Sequence, residues 1–356
     1  MPYTISPHYI LAIDQGGTKT DIIIADHRGN IIGLGNDRDL MASEKINEYP
    51  TYYKKDRRIA RMIMIRHAAE KALLDGGLKF SDIHSVSASC TGADWEYEYE
   101  VGRKNLRNTL EIEQVSLYND CIGALRGGTE IKNRDCAVIC LGTGANCAVI
   151  NREGDEYIYA YYLKDIHQGA SAIGKFIFDA VIDGESGLGP KTLLTKLLLE
   201  KTGYESVDEL FMHISAGRHE NEKHWEPAYQ NFCPLLFQAV KAGDMVANNY
   251  LQWFCSDLAR YVIIAAIKLG MQEREISVVL SGGVPKSGSL MVDLLQKRFK
   301  EDLPGVNCIH ACFEPVVGAL LLEYDRIYLE GIPGEVMRRL EQNCAKRDLF
   351  RSFSTD

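Results

Sequence analysis

The sequence lacks the patterns that mark several large classes of protein. No C-x-x-C pair occurs among the ten cysteines, so a zinc or iron–sulfur site of common spacing is not indicated. Neither H-E-x-x-H nor G-x-S-x-G occurs, which removes the usual signatures of zinc proteases and serine hydrolases. Apolar runs such as 261–267 are far shorter than the roughly 20 residues that a membrane-spanning helix needs.

Acidic residues also outnumber basic residues. The formal net charge is −9 and no block of basic residues occurs, so we expect neither a nucleic-acid partner nor a membrane partner. The first residues lack the basic start and apolar core of a secretory leader, so we expect a cytoplasmic protein whose cysteines are reduced. A length of 356 residues with 46% hydrophobic content suits two globular domains.

The stretch ILAIDQGGTKTDIIIAD (10–26) combines two apolar runs with a turn rich in glycine and threonine. A glycine pair between such runs is typical of a β-hairpin. A plain hairpin, however, does not need Asp14 before the turn or Lys19 within it. Glycines expose backbone N–H groups to an anion and a carboxylate can hold a hydrated divalent metal, so phosphate binding is the alternative interpretation.

The same order of strand, Gly/Thr turn, strand and Gly turn returns at 136–155, which indicates an internal repeat. A third glycine turn, Gly282-Gly283, follows the apolar run 277–281. Each turn alone is explained by local structure. Together they predict two similar α/β halves that hold a nucleotide between them.

The remaining periodicity predicts strands at 9–14, 21–26, 31–35, 85–90 and 115–119, a loop at 36–56, a helix at 57–77, mostly helical text at 165–275 and a helix that begins at Pro315. Two further motifs resemble known nucleotide-binding sequences but do not match them. GASAIGKF (169–176) nearly matches a phosphate-binding loop, but Phe176 replaces the required hydroxyl, so a helix start is favoured. GTGANC (142–147) lacks the third glycine of a dinucleotide fingerprint.

Three polar residues each have two interpretations. Asp120 follows a strand and precedes a helix, so it either caps that helix or accepts a proton as a general base. Asp94 follows another strand and is either an ordinary loop residue or a substrate ligand. Asn146 either contacts a sugar hydroxyl or caps its turn.

Five segments resemble the sugar kinase/actin/Hsp70-type ATPases: DQGGTKTDIIIAD, YNDCIGAL, LGTGAN, LSGG and PVVGALLLEY. Within that superfamily the chain is most similar to the BadF/BadG/BcrA/BcrD ATPase family and its N-acetylglucosamine kinase branch. The resemblance implies a two-lobed, actin-like fold, a duplicated ribonuclease H-like α/β architecture with the nucleotide in the interlobe cleft. It covers residues 9 to about 324.

The resemblance also implies roles for individual residues. Asp14 would organise Mg²⁺ through water, and Asp120 would match the catalytic base. ATP would be bound by Gly16, Gly17, Thr18, Lys19, Gly142, Thr143, Gly144, Gly282 and Gly283. Asp94 and Asn146 would face the sugar.

The acceptor half departs from the kinase pattern. A Gly-Trp-Gly stretch and a Gly-Asp-Glu-Gly-Ser segment of the acetylglucosamine kinases correspond here to AYYLKDIHQGAS (160–171), with His167 and Gln168 at the place of the acidic pair. We therefore predict that N-acetylglucosamine is a poor substrate. The cysteine pair of the family's electron activators has no counterpart in this chain.

We accordingly predict an ATP- and Mg²⁺-dependent kinase of a small sugar or amino sugar, N-acetylhexosamine-like, and allow for a homodimer. The alternative is a nucleotide-dependent ATPase or sugar-sensing regulator without kinase activity. The predicted domains are an N-terminal lobe at 1–120, completed by a helix at 315–330, a C-terminal lobe at 121–314 with helical insertions, and a helix and tail at 335–356.

Overall fold

The computed structural model describes residues 8–17, 19–38, 57–159, 169–220, 228–287 and 289–351. These residues form two compact units. The first consists of the described residues up to Lys132 together with Ala311–Arg351, and the second lies within Asn133–His310. The first unit therefore continues past residue 120, where the sequence placed the boundary, because the helix that begins at Asp120 belongs to it.

The first unit is built on a five-stranded mixed sheet. Its strands are β1 (Tyr9–Gln15), β2 (Lys19–Asp26), β3 (Ile31–Arg38), β4 (Ile83–Cys90) and β5 (Val115–Asn119). They lie in the order β3-β2-β1-β4-β5. The β1–β2 and β2–β3 pairs are antiparallel, whereas β4 runs parallel to both β1 and β5. The carboxyl ends of β1, β4 and β5 consequently share one edge of the sheet.

Helices cover one face of this sheet. They are α1 (Arg57–Gly76) and α2 (Glu96–Leu110), while the short α3 (Asp120–Arg126) continues directly from β5. Alternate apolar residues of β1 and β2, such as Leu11 and Ile24, are buried with residues of α1 and α2. Gly35 of β3 allows close packing of α1, because a Cβ there would lie 2.0 Å from the carbonyl oxygen of Ala68.

The second unit repeats this sheet. Its strands are β6 (Cys136–Leu141), β7 (Ala145–Ile150), β8 (Glu156–Ile158), β9 (Ile276–Ser281) and β10 (Val306–His310), in the order β10-β9-β6-β7-β8. The first three pair antiparallel, and β9 runs parallel to β6 and β10. Each strand thus has a counterpart in the first sheet. This correspondence accounts for the repeat seen in the sequence.

Along the sequence, the helices of the second unit lie between β8 and β9 and between β9 and β10. They are α4 (Gly169–Ser186), α5 (Leu193–Thr202), α6 (Val207–Glu220), α7 (Cys233–Lys241), α8 (Met245–Lys268) and α9 (Leu290–Asp302). Their apolar faces share one core with the sheet. No helix among the described residues has both the length and the apolar character needed to cross a membrane.

The last two helices return to the first unit. They are α10 (Pro315–Ile327) and α11 (Gly334–Lys346), and they cover the face of the first sheet opposite to α1. The Ser87 hydroxyl on β4 donates a hydrogen bond of 2.6 Å to the Ala319 carbonyl of α10. Gly318 of α10 lies so close to α3 that a Cβ would be 1.8 Å from the Gly123 carbonyl oxygen. One face of the first sheet is therefore covered by helices from the far end of the sequence.

Candidate functional site

Three aspartates lie where the parallel strands of the first sheet end. Asp14 is near the end of β1, Asp94 follows β4, and Asp120 follows β5 directly. Since the carboxyl ends of parallel strands meet at one edge, ligands of α/β sheets commonly bind there. The structure thus brings together in one unit three acidic residues that the sequence singled out separately.

Asp14 is the most deeply placed of these carboxylates, with only 7% of the residue exposed. Burial is the main cause that raises the pKa of its carboxyl group to about 7; Lys19 opposes this shift, and the negative charges of Asp21, Asp120 and Glu314 add to it. Asp21 is its partner directly across the β1–β2 ladder. A cation placed close to such a carboxyl group would favour its ionised form.

The β1–β2 turn adds a cation to this edge. Its backbone closes through a 2.9 Å hydrogen bond from the Gly16 N–H to the Lys19 carbonyl. Lys19, which the sequence placed in the turn, is the first residue of β2, and its ammonium lies 2.5 Å from a carboxylate oxygen of Asp21. Thr18 lies outside the described residues.

Asp120 is the first residue of α3, and the helix cap is the preceding residue. The Asn119 side-chain oxygen accepts a 3.0 Å hydrogen bond from the Cys121 N–H, which is the N-cap interaction. The interpretation of Asp120 as the cap is therefore wrong. The Ser89 hydroxyl donates to the Asn119 carbonyl at 2.9 Å and accepts from the Gly123 N–H at 3.1 Å, so β4 fixes the start of α3.

Asn119 also connects Asp120 to Asp94. Its side-chain amide donates a 2.6 Å hydrogen bond to the Asp94 carboxylate. Burial, followed by the charges of Asp120 and Glu98, raises the pKa of Asp94 to about 6 despite that hydrogen bond. The Glu98 carboxylate in turn accepts from the backbone N–H groups of Asp94 and Trp95, both at 3.0 Å. Asp94 is consequently held from two sides.

The corresponding turn of the second unit is held by a helix. Gly142 donates to the Gly144 carbonyl at 2.9 Å, and the N–H groups of Ala170 and Ser171 in the first turn of α4 donate to Gly142 and Thr143 at 2.9 and 3.0 Å. Gly169, with a φ of +83°, lies so close that a Cβ would be 2.4 Å from the Gly144 backbone. GASAIGKF is thus the start of α4, as expected.

At four positions in the two turns, the described structure leaves room for a side chain larger than that of glycine. A Cβ on Gly17, Gly142 or Gly144 would meet no atom within 4 Å, and one on Gly16 would be 3.7 Å from its nearest neighbour. None of the four has a left-handed φ. An alanine would therefore fit at each position in the described structure, so a ligand that approaches the backbone would explain the glycines better.

Gly282 is a glycine for a different reason. Its φ is +104°, and a Cβ would lie 2.0 Å from the Leu141 carbonyl oxygen, where β9 ends beside β6. The fold itself therefore demands glycine at this position. The neighbouring Gly283 is open, since a Cβ there would meet no described atom within 4 Å.

Of the other residues predicted to bind the sugar, only Asn146 is among the described residues. Asn146 is on β7 in the second unit, where its side-chain oxygen accepts from the Cys147 N–H at 2.9 Å. His167 and Gln168 lie outside the described residues. Sequence reasoning missed Ser89, Glu98, Asn119 and Glu314. Of these, only Asn119 carried a local signal, as an asparagine at the junction of a strand and a helix.

Metal-binding side chains do not cluster in threes in the described part of the chain. All ten cysteines are free thiols, and most of them are buried. Burial raises the pKa of the Cys136, Cys233 and Cys308 thiols to about 12, so these groups act as small apolar side chains.

Two sheets of identical topology, each with a Gly/Thr turn between its first two strands, define the duplicated ribonuclease H-like architecture of the sugar kinases and actin-like ATPases. The model of the BadF/BadG/BcrA/BcrD ATPase family matches residues 11–322, and the chain belongs to this family. The resemblance and the fold predicted from the sequence are both confirmed.

Several proteins that are similar to this chain are named sugar kinases. An N-acetyl-D-glucosamine kinase of Dictyostelium discoideum is 28% identical over 334 residues, which cover 89% of this chain and 98% of the relative. A solved structure of a proposed N-acetylglucosamine kinase from Chromobacterium violaceum has a TM-score of 0.60 at 17% identity and covers 88% of this chain and 98% of its own. A ROK family glucokinase from Streptomyces griseus, solved with glucose and AMPPNP, has a TM-score of 0.56 at 17% identity with the same coverage.

Proposed function

We propose that this protein is an ATP-dependent carbohydrate kinase that transfers the γ-phosphoryl group of ATP to a hydroxyl of a small sugar or amino sugar. Family membership and the Dictyostelium relative support the reaction class. The observation that carries the assignment to this chain is the acidic edge of the first sheet, where Asp14, Asp94 and Asp120 lie at or after the carboxyl ends of β1, β4 and β5.

Phosphate binding is assigned to the two Gly/Thr turns. A Cβ on Gly16 or Gly17 in one unit, or on Gly142 or Gly144 in the other, would meet no described side chain within 4 Å. Backbone N–H groups in such turns bind anions, and glycine lets the phosphate oxygens approach closely. Thr18, Thr143 and Lys19 would add hydroxyl and ammonium donors. Gly283, which is also open, would lie against the adenosine.

Asp14 suits a role in holding Mg²⁺. Its carboxyl group is buried among like charges, so a cation would restore its ionised form. Mg²⁺ keeps several of its waters and is typically bound through one or two carboxylates together with substrate phosphates, and Asp14 would bind it through water. The metal would neutralise charge on the phosphate oxygens.

Asp120 is assigned as the general base. It lies at the first position of α3, in the first turn of the helix, where the dipole stabilises a carboxylate. An ionised Asp120 within hydrogen-bond reach of the acceptor hydroxyl would take its proton as the oxygen attacks the γ-phosphorus. Asp94, positioned by Asn119 and Glu98, would accept hydrogen bonds from the sugar and so orient that hydroxyl. Asn146, His167 and Gln168 complete the residues proposed for sugar binding.

Catalysis in this scheme rests on positioning and charge. Phosphoryl transfer passes through a loose transition state, so the chain needs to align acceptor and phosphate rather than form a covalent intermediate. Exclusion of water from the reacting groups would limit hydrolysis of ATP. No residue of the described site needs to act as a nucleophile.

The identity of the acceptor is tested by ADP release from Mg·ATP across a panel of sugars and amino sugars. We expect at least one of them to be turned over. N-acetylglucosamine is the first compound to include, because the Dictyostelium relative is named for it, whereas the sequence at His167 and Gln168 predicts weak turnover. Tight ATP binding without transfer to any acceptor would instead favour the sugar-sensing alternative.

A further inference from the structure

Helix α10 begins at the acidic edge of the first sheet. It runs in the direction opposite to β1, because Tyr324 near its end donates a 2.6 Å hydrogen bond to the Asp26 carbonyl. Asp26 lies opposite Tyr9, the first residue of β1. Glu314, the residue before the helix, is consequently placed towards the end of β1 that carries Asp14.

The charge of Glu314 acts on the groups proposed to hold Mg²⁺ and phosphate. Asp14 belongs to the sheet face that α10 covers, because side chains alternate along a strand and Ile10 and Ala12 pack in that core. Burial raises the pKa of Asp14, and the charge of Glu314 adds to that shift. Against burial, which lowers it, nearby carboxylates that include Glu314 raise the pKa of the Lys19 ammonium. Glu314 is therefore within electrostatic reach of both groups.

The side chain of Glu314 does not cap α10. The residue occupies the N-cap position, yet its side chain makes no capping hydrogen bond to the first turn. Its backbone carbonyl accepts a 2.9 Å hydrogen bond from the Val317 N–H instead. Since the start of a helix stabilises a carboxylate, the position favours a negative charge that capping does not consume.

The last three described residues hold Glu314 from the other side. We call residues 349–351 the C-terminal segment. The Leu349 carbonyl accepts a 2.9 Å hydrogen bond from the Glu314 N–H. Next to this bond, the rings of Phe313 and Phe350 stack with their centroids 5.0 Å apart. The backbone around Glu314 is thus fixed by the C-terminal segment as well as by α10.

Arg351 adds a buried cation beside the Glu314 carboxylate. Its side chain is 5% exposed, and its Nε lies 3.6 Å from Oε2 of Glu314, an ion-pair distance. The Arg351 N–H donates a 3.0 Å hydrogen bond to the Cys312 carbonyl, which fixes the point from which the side chain extends. A buried guanidinium depends on a nearby carboxylate for compensation, so the pair restricts where the Glu314 carboxylate lies.

We propose that Glu314 is a second carboxylate of the Mg²⁺ site and that Arg351 is its positioning residue. This inference rests on the proposed function. Mg²⁺ is typically bound through one or two carboxylates together with substrate phosphates, and Asp14 supplies one of them. Two carboxylates completed by phosphate oxygens are also consistent with the lack of metal-binding groups of three in the described part of the chain. The C-terminal segment would then contribute to the same site as the first strand.

The test compares the affinity of the full chain for ADP in Mg²⁺ with its affinity in EDTA, both measured by titration calorimetry. The ratio of the two affinities measures the coupling between metal and nucleotide. Glu314→Gln should lower this ratio by about tenfold. In EDTA the same variant should bind ADP as tightly or more tightly, because a negative charge near an anion is removed. A merely structural role would weaken binding under both conditions.

Arg351→Gln should lower the ratio by about fivefold, and Arg351→Lys, which keeps the charge, should recover part of it. Once Glu314→Gln is present, Arg351→Gln should have no further effect on the ratio. Arg347→Gln is the matched control, because Arg347 lies near the same end of the chain but pairs with Asp75 at 3.0 Å. It should leave the ratio unchanged. Circular dichroism and melting temperature check that each variant folds.

Three results would overturn the inference and leave the proposed function standing. They are a ratio for Glu314→Gln within about twofold of that of the unsubstituted protein, an equal loss of ADP affinity in Mg²⁺ and in EDTA, and a higher ratio for Arg351→Gln. The last would mean that Arg351 competes with the metal for Glu314. Failure of the unsubstituted protein to bind ADP under either condition would overturn the proposed function, and this inference with it.

Discussion

Replacement of Asp14 by asparagine should make the ligand-free protein more stable at neutral and alkaline pH. Burial among like charges raises the pKa of this carboxyl group to about 7 from its ordinary value of 3.8. Between these two values the folded state binds more protons at this site than the unfolded state. Stability that is present below pH 3.8 is therefore lost as the pH rises toward 7 and beyond.

The size of the loss follows from the shift. A difference of roughly three pKa units corresponds to about 4 kcal/mol when the site is fully ionised, at 1.36 kcal/mol per unit. About 3 kcal/mol of this is expected to appear between pH 5 and pH 8, because the unfolded chain is already ionised at this site while the folded protein loses its proton only near pH 7. Asp14→Asn cannot ionise, so it should lack this part of the pH dependence.

The assay is urea unfolding at pH 5 and pH 8 without Mg²⁺ or nucleotide. The dependence of the unfolding free energy on urea concentration is fitted with one common slope for all variants. Glu330→Gln is the control, since Glu330 is an exposed carboxylate in the same unit, and its profile should follow that of the unsubstituted protein. Asp14→Asn should also lose Mg²⁺-dependent transfer, so stability and activity would change in opposite directions. Parallel pH profiles for Asp14→Asn and the unsubstituted protein would refute the reasoning.

Other predictions concern the proposed base, the turns and the sugar site. Asp120→Asn should lower the rate of phosphoryl transfer by about 10²–10⁴, with ATP affinity and melting temperature nearly unchanged. Asn119→Ala should instead lower the free energy of unfolding by about 1 kcal/mol, because the helix cap is lost. An equal loss of stability in the two variants, measured by scanning calorimetry, would argue against these roles. Gly144→Val should weaken ATP binding, measured by titration calorimetry, without loss of stability. Gly282→Ala should instead lower the melting temperature, because its Cβ would overlap the neighbouring backbone; a stable Gly282→Ala would contradict the packing argument. Asp94→Asn should raise the KM for the acceptor about tenfold with an unchanged ATP dissociation constant, and a change confined to ATP would contradict a role in sugar binding.

Most of the fold was predictable because its signals are local. The strand–turn–strand repeats at 9–26 and 136–150 depend on apolar runs separated by glycine, and the structure places β1, β2, β6 and β7 there. The helix that begins at Pro315 was also predictable from its own sequence. The strand order could not be derived from such local signals, because it depends on pairs between distant segments such as β1 with β4.

The candidate site was predictable only in part. Asp14, Asp94 and Asp120 were identified because each follows an apolar run, a local feature. Asn119 and Glu98 were missed because their role is to hold Asp94, and that contact joins segments 25 residues apart in the case of Asn119. Asp120 was assigned two roles because a sequence does not show which of two adjacent polar residues caps a helix. The hydrogen bond from Cys121 to Asn119 decides that point.

The return of α10 and α11 to the first unit has a consequence for synthesis on the ribosome. Among the described residues, those that cover one face of the first sheet, including Ile10, Ile23 and Ile31, come from Phe313 onward. Synthesis adds about 5–20 residues per second, so the roughly 180 residues of the second unit delay that covering by about ten to forty seconds. During this interval the nascent chain presents an apolar sheet that invites chaperone binding, and chains that terminate before α10 would be expected to aggregate.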